Sequence, residues 1–159
     1  MNYDGGIDVA CVSADGYLTI DGVVMARRAF AVLDAWRLAE DADERGGDLE
    51  IPGRPWPLPG PRNGTTTVKT LRMVVDPRFT TGGAASLHPA SNWYSIAGYL
   101  STYVSATTFT GDGTRSVQLT MPSGLTRSAR AHCSIRYGER VGVIVRATLT
   151  LSFPEGVPT

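Results

Sequence analysis

The chain has 159 residues and a mass of 17.0 kDa, a length suited to one domain, 1–159, that buries roughly two thirds of its unfolded surface. Fifteen basic residues balance fifteen acidic ones, which argues against whole-molecule attraction to nucleic acid or an anionic membrane. Two cysteines cannot build a disulfide framework, the opening MNYDGGIDVACV lacks a basic segment followed by an apolar one, and no run nears the roughly 18 apolar residues of a membrane span, so a soluble chain made in a cytoplasm is expected.

The first third reads as β structure. In DGYLTIDGVV, short apolar runs are separated by Asp15-Gly16 and Asp21-Gly22, pairs that favour tight turns, and a hairpin near Asp21 is expected. AFAVLDAWRLAE is ambiguous: its residues favour helix, while Phe30, Val32, Trp36 and Leu38 also alternate. An extended start running into a loop is the expectation. From Glu40 to Gly64 acidic, Gly-rich and then Pro-rich residues predict a long arm without regular structure. Its second half, IPGRPWPLPGPRNG, holds five of the chain's ten prolines and Trp56. TVKTLRMVVD then reads as a strand with Leu71, Met73 and Val75 on one side.

A helix is predicted over about 89–104. Pro89 suits its first turn, Ser91 or His88 is the candidate cap, and Trp93, Ile96, Ala97, Leu100, Tyr103 and Val104 recur at three-four spacing. Gly98 on this helix suggests close approach of another backbone. The last third alternates most cleanly. Val117, Leu119 and Met121 oppose Ser116, Gln118 and Thr120. Ala129, Ala131, Cys133, Ile135 and Tyr137 oppose Ser128, Arg130, His132, Ser134 and Arg136. Val145, Ala147, Leu149, Leu151 and Phe153 oppose Arg146, Thr148, Thr150 and Ser152. Such alternation predicts half-buried antiparallel strands with one solvated face, joined by turns at TGDGT and PSG. The expected fold is mainly β (α+β): an antiparallel β-sandwich or barrel, one packed α-helix and a long Pro-rich arm.

Catalytic chemistry finds little support. His132 and Cys133 are adjacent on a strand and point to opposite faces, so they cannot share a metal ion. DADERGGDLE fails the EF-hand pattern at Arg45 and at Pro52, and reads as a solvated loop. There is no phosphate-binding Gly-rich loop and no Gly-x-Ser-x-Gly elbow; Ser123 sits in an ordinary turn. No catalytic, cofactor-binding or metal residue is assigned, no cofactor is expected, and both cysteines are expected to pack as thiols. Asn63-Gly64-Thr65 spells a glycosylation acceptor, but no secretory signal accompanies it. The proline stretch fails both basic-flanked polyproline-ligand patterns. Two readings stay open: a stiff crossing loop whose Trp56 covers its own core, or an arm docking on a neighbouring copy through Arg54, Trp56 and Arg62, residue types favoured as interface anchors.

The order of these parts carries a resemblance. TIDGVV, RGGDLEIPGRPWPLPGPRNGTTTV, a strand, NWYSIAGYLSTYV, TFTGDGTRSVQLTMPSG and the closing VRATLTLSFPEG together resemble the distal tail or minor tail proteins of long-tailed phages (siphoviruses) infecting actinobacteria, a tail-tube-fold family. The resemblance covers nearly the whole chain, and its most specific parts are the Ile-Pro-Gly-Arg segment before a Thr-rich strand and the terminal ATLTLSFPEG. It implies a structural virion protein and not an enzyme: a hexameric homo-oligomer ring joining the tail tube to the tail tip, with inner strands forming a β-barrel and the helix outside. Tube, tip or hub and tape measure proteins would be its partners, DNA would only pass through, and no membrane segment is needed. On that reading Ser128, Arg130, His132, Ser134, Arg136, Arg146, Thr148, Thr150 and Ser152 line the lumen, and the proline arm reaches adjacent subunits. The three arginines sit awkwardly there, because no acidic residue accompanies them in those strand segments and a DNA passage should avoid strong cationic attraction. The alternatives are a major tail tube subunit and, in another class, a β-barrel carbohydrate or small-ligand binding module using Trp36, Trp56 and Trp93.

Overall fold

Strand β1 (Tyr17–Ile20) turns into β2 (Val23–Val24) through Asp21 and Gly22, whose φ angles of 46° and 83° are those of a two-residue hairpin turn with the twist of its strands. In this computed structural model residues 9–39, 44–46, 52, 53, 55, 62–64, 67–105, 113–154 and 158 are described, 44–46 and 62–64 in backbone only. A short helix α1 (Val9–Ala14) precedes β1. Gly16 between them has φ 97°, and a Cβ there would lie 2.8 Å from the Thr120 carbonyl oxygen, so only glycine fits that junction.

The ambiguous stretch divides. Phe30–Val32 forms β3 and Ala35–Ala39 a 3-10 helix. Extended backbone wins where β6 (Thr67–Val75) offers a partner, with Phe30 opposite Val75 and Val32 opposite Met73. It stops at Asp34, whose side-chain Oδ1 accepts the Arg72 backbone N–H at 2.8 Å, and local helical preference then takes over. The arm expected to lack regular structure carries a two-stranded ribbon: β4 (Glu44–Gly46) pairs with β5 (Arg62–Gly64).

Helix α2 spans Pro89–Tyr103, with Pro89 in its first turn and His88 at the N-cap. Neither expected cap operates, since the cap position makes no side-chain hydrogen bond. Asn92 anchors this end instead, donating from Nδ2 to the carbonyls of Pro77 (2.8 Å) and Phe79 (2.7 Å). At the other end Arg115 donates to the Thr102 and Ser105 carbonyls at 3.1 and 3.4 Å, a cation on the negative pole of the helix. Ile96, Leu100 and Val104 are fully buried, whereas Tyr103 is 50 % exposed. Val104 takes the inward position as the helix ends, and Tyr99 packs against the core 6.0 Å from Phe30. Gly98 has open space around it, so among the described residues no backbone approaches there.

Strands β7 (Arg115–Thr120), β8 (Thr126–Val141) and β9 (Ile144–Phe153) complete an antiparallel sheet of order β2-β1-β7-β8-β9-β6-β3. β8 is shared: residues 126–131 pair with β7 and residues 132–141 with β9. The sheet also curls back on itself. Met25 donates to the Leu18 carbonyl and its own carbonyl accepts from Val32, both at 2.8 Å, which ties the β1–β2 edge to β3. Leu18, Ile20, Phe30, Leu71, Met73, Leu149, Leu151 and Phe153 fill the interior with the inward residues of α2, each such side chain contributing about 1.5–3 kcal/mol by its removal from water.

Candidate functional site

The side chains of β6–β9 that point away from the core make one open face. Register places Val68, Ser152 and His132 in one row, Thr70, Thr150 and Ser134 in the next, then Arg72, Thr148 and Arg136, and finally Val74 beside Arg146. Where β8 crosses to β7, Ser128 lies opposite Gln118 and Arg130 opposite Ser116. Ser128, Arg130, His132, Ser134, Arg136 and Arg146 are exposed, and Thr148, Thr150 and Ser152 on the central strand are half-buried between their neighbours. Sequence reasoning overlooked the contribution of β6. The signal was present, because alternation with Leu71, Met73 and Val75 puts Arg72 on the opposite side.

The face is cationic. Arg72 Nε lies 3.3 Å from Asp34 Oδ2, and Arg37 lies 3.9 Å from the same oxygen, so one buried carboxylate at the rim serves two guanidinium groups. Arg130 donates to the Thr114 hydroxyl (2.7 Å) and carbonyl (3.0 Å). The ion pairs among the described residues include neither Arg136 nor Arg146. Leu33, Arg72, Val74, Gly138, Arg146 and Thr148 line a groove of about 510 Å³ on this side.

His132 and Cys133 divide between the faces as strand geometry requires. Cys133 is 4 % exposed, its thiol donates to the Ala131 carbonyl at 3.8 Å, and burial pushes its pKa up to about 12, which makes it a packed thiol rather than a nucleophile. Among the described residues no group of three or more His, Cys, Asp or Glu stands close enough to hold a metal ion, and no helix is long and apolar enough to cross a membrane. Buried Asp76 is held by Arg78 through Nε to Oδ1 (2.9 Å) and Nη2 to Oδ2 (2.8 Å), a structural pair that also raises the arginine's pKa, chiefly through the hydrogen bond to Asp76.

Of the arm residues, Arg54 and Trp56 lie outside the described residues, and Arg62 opens β5 with its backbone opposite Gly46. Trp36 is 57 % exposed on the 3-10 helix, and the ring partner of Trp93 is Tyr137, so the described tryptophans do not stack into a common platform.

No family model matches the chain, and no curated protein matches it in sequence. Among solved structures, the crystal structure of the SPP1 Dit (gp 19.1) protein, described as a paradigm of the hub adsorption apparatus in phages infecting Gram-positive bacteria, matches with a TM-score of 0.56 and 13 % identity. The match covers 87 % of this chain and 49 % of that one, so the chain spans about half the length of that protein. At this identity the likeness is one of fold: the mainly β, Dit-like arrangement of a seven-stranded antiparallel sheet with one long helix.

Proposed function

We propose that the chain is a structural protein of a phage tail, the distal tail ring that joins the tube to the tip apparatus, in a long-tailed phage of actinobacteria. The observation that carries this reading is the likeness of fold to the SPP1 Dit protein over 87 % of the chain. In the proposed assembly six copies form a ring, the open face of β6–β9 lines the lumen, α2 lies outside, and the proline-rich arm contacts adjacent subunits through Arg54, Trp56 and Arg62. Tube, hub and tape measure proteins are its partners, and its place is the virion. The arginines of the open face then meet acidic groups of neighbouring subunits or partners.

Electron microscopy of the purified protein, alone and with tube and hub proteins, tests the reading. Single rings are expected. Long stacked tubes of this chain alone would instead assign the major tube subunit. Monomers at every concentration and with every tail partner, or a monomer with saturable glycan binding, would overturn the assembly reading.

A further inference from the structure

Where the β8–β9 hairpin passes the N-terminal half of α2, the two elements leave a gap between them. Trp93 and Tyr137 meet edge to face, with 4.9 Å between ring centroids and 80° between planes. With Pro77, Val143 and Val145 they wall an open groove of about 190 Å³, and Arg140 contributes a charge to its lining. Tyr137 and Val141 remain 37 % and 49 % exposed, beside the register shift between Tyr137 and Arg140. Perpendicular aromatic rings flanked by aliphatic side chains form the kind of slot that takes pyrrolidine rings, and a polyproline segment loses little entropy on docking there.

The chain carries a segment of matching chemistry. Between β4 and β5 lie residues 47–61, which hold five prolines and Trp56. The ends of this segment are held together by the pairing of Gly46 with Arg62, so it leaves and returns at one point. Half of a segment of that length, if extended as polyproline at about 3.1 Å per residue, would span roughly 20 Å. Pro52, Gly53 and Pro55 are exposed. Charge agrees as well: Asp48 and Glu50 precede the prolines, and the groove presents Arg140.

We infer that the groove between α2 and the β8–β9 hairpin receives the proline-rich stretch of a second copy of this chain, its rings against Trp93 and Tyr137 and its acidic residues toward Arg140. The inference rests on the proposed ring and deepens it by naming where the arm of one subunit lands on the next.

The test uses full-length variants, with Trp56→Ala disabling the arm and Tyr137→Ser the groove, each followed by sedimentation velocity alone and mixed. Each alone should shift assembly to at least about tenfold higher concentration. The mixture should recover pairs, because the intact arm of one variant meets the intact groove of the other once per pair. Should Tyr137→Ser fail to fold by circular dichroism, Arg140→Glu and Glu50→Arg replace the two: like copies then oppose like charges, and mixing them pairs the changed charges only between unlike copies. Recovery on combining Arg140→Glu with Glu50→Arg in one chain then supports the docking. Rings that persist unchanged in the groove variant, or pairs that fail to recover, overturn the groove while leaving the ring reading intact. Wild-type protein that stays monomeric with all tail partners overturns both.

Discussion

Thr148 and Leu149 are neighbours on β9, yet Leu149 has no exposed surface while Thr148 faces the open side between Arg72 and Arg136. The same division runs along β6, β8 and β9. One face is filled by aliphatic and aromatic side chains that hold the barrel closed; the other carries mainly hydroxyls and guanidiniums, with Val68 and Val74 among them. The difference teaches that stability is written on one side of these strands, and the proposed ring would place assembly on the other, so substitutions one residue apart should separate the two properties.

The largest effect should come from the inner side. Leu149→Ala should cost about 2–5 kcal/mol in chemical denaturation, whereas Thr148→Ala should stay within about 0.5 kcal/mol. Equal losses would break the contrast between the faces. Next comes the buried carboxylate: Arg78→Ala strips Asp76 of its bidentate partner and should cost about 1–3 kcal/mol, the range for leaving a buried acceptor unsatisfied. A neutral result in thermal unfolding would show that water replaces the arginine there.

On the outer side, Thr148→Leu and Ser134→Leu should leave the monomer's melting temperature nearly unchanged and reduce ring formation seen by electron microscopy. Solvent-accessibility labelling sharpens this: both positions should become protected on assembly, and equal labelling in monomer and particle would detach the open face from any lumen. A further effect is confined to alkaline solution. Burial raises the Cys133 pKa from its ordinary 9.0 to about 12, so below pH 9.0 the thiol is protonated in both folded and unfolded chains and exerts no pull. Above it the unfolded chain loses the proton first, and stability should fall from pH 9.0 toward about 12. Cys133→Ala should flatten that part of the stability profile relative to wild type, and identical slopes would place the thiol in contact with water.

Much of the division between faces is legible in the sequence. Alternation with period two is a property of each strand by itself, so Ser134, Arg136 and Thr148 could be assigned to one face and Cys133, Ile135 and Leu149 to the other from the sequence. The Asp21-Gly22 turn and the inward stripe of Ile96 and Leu100 were legible for the same reason: their signals span a few residues. Tyr137 marks where this ends, since its place in the alternation is apolar while its ring stays partly wet at the hairpin, where the pairing register shifts.

What only the tertiary structure decided is pairing between distant segments. Arg72 joins the open face because β6 lies beside β9, about eighty residues away in sequence, and loop-closure over such a span leaves no local trace. Residues 30–39 divide into strand and 3-10 helix because β6 supplies hydrogen bonds to the first part and Asp34 diverts the second. The barrel closes through Met25, whose backbone satisfies Leu18 on one side and Val32 on the other. By itself the sequence determined which side of each strand avoids water, since that depends on the side chains in order; which strands lie together depends on hydrogen bonds and packing that exist only once the chain has folded.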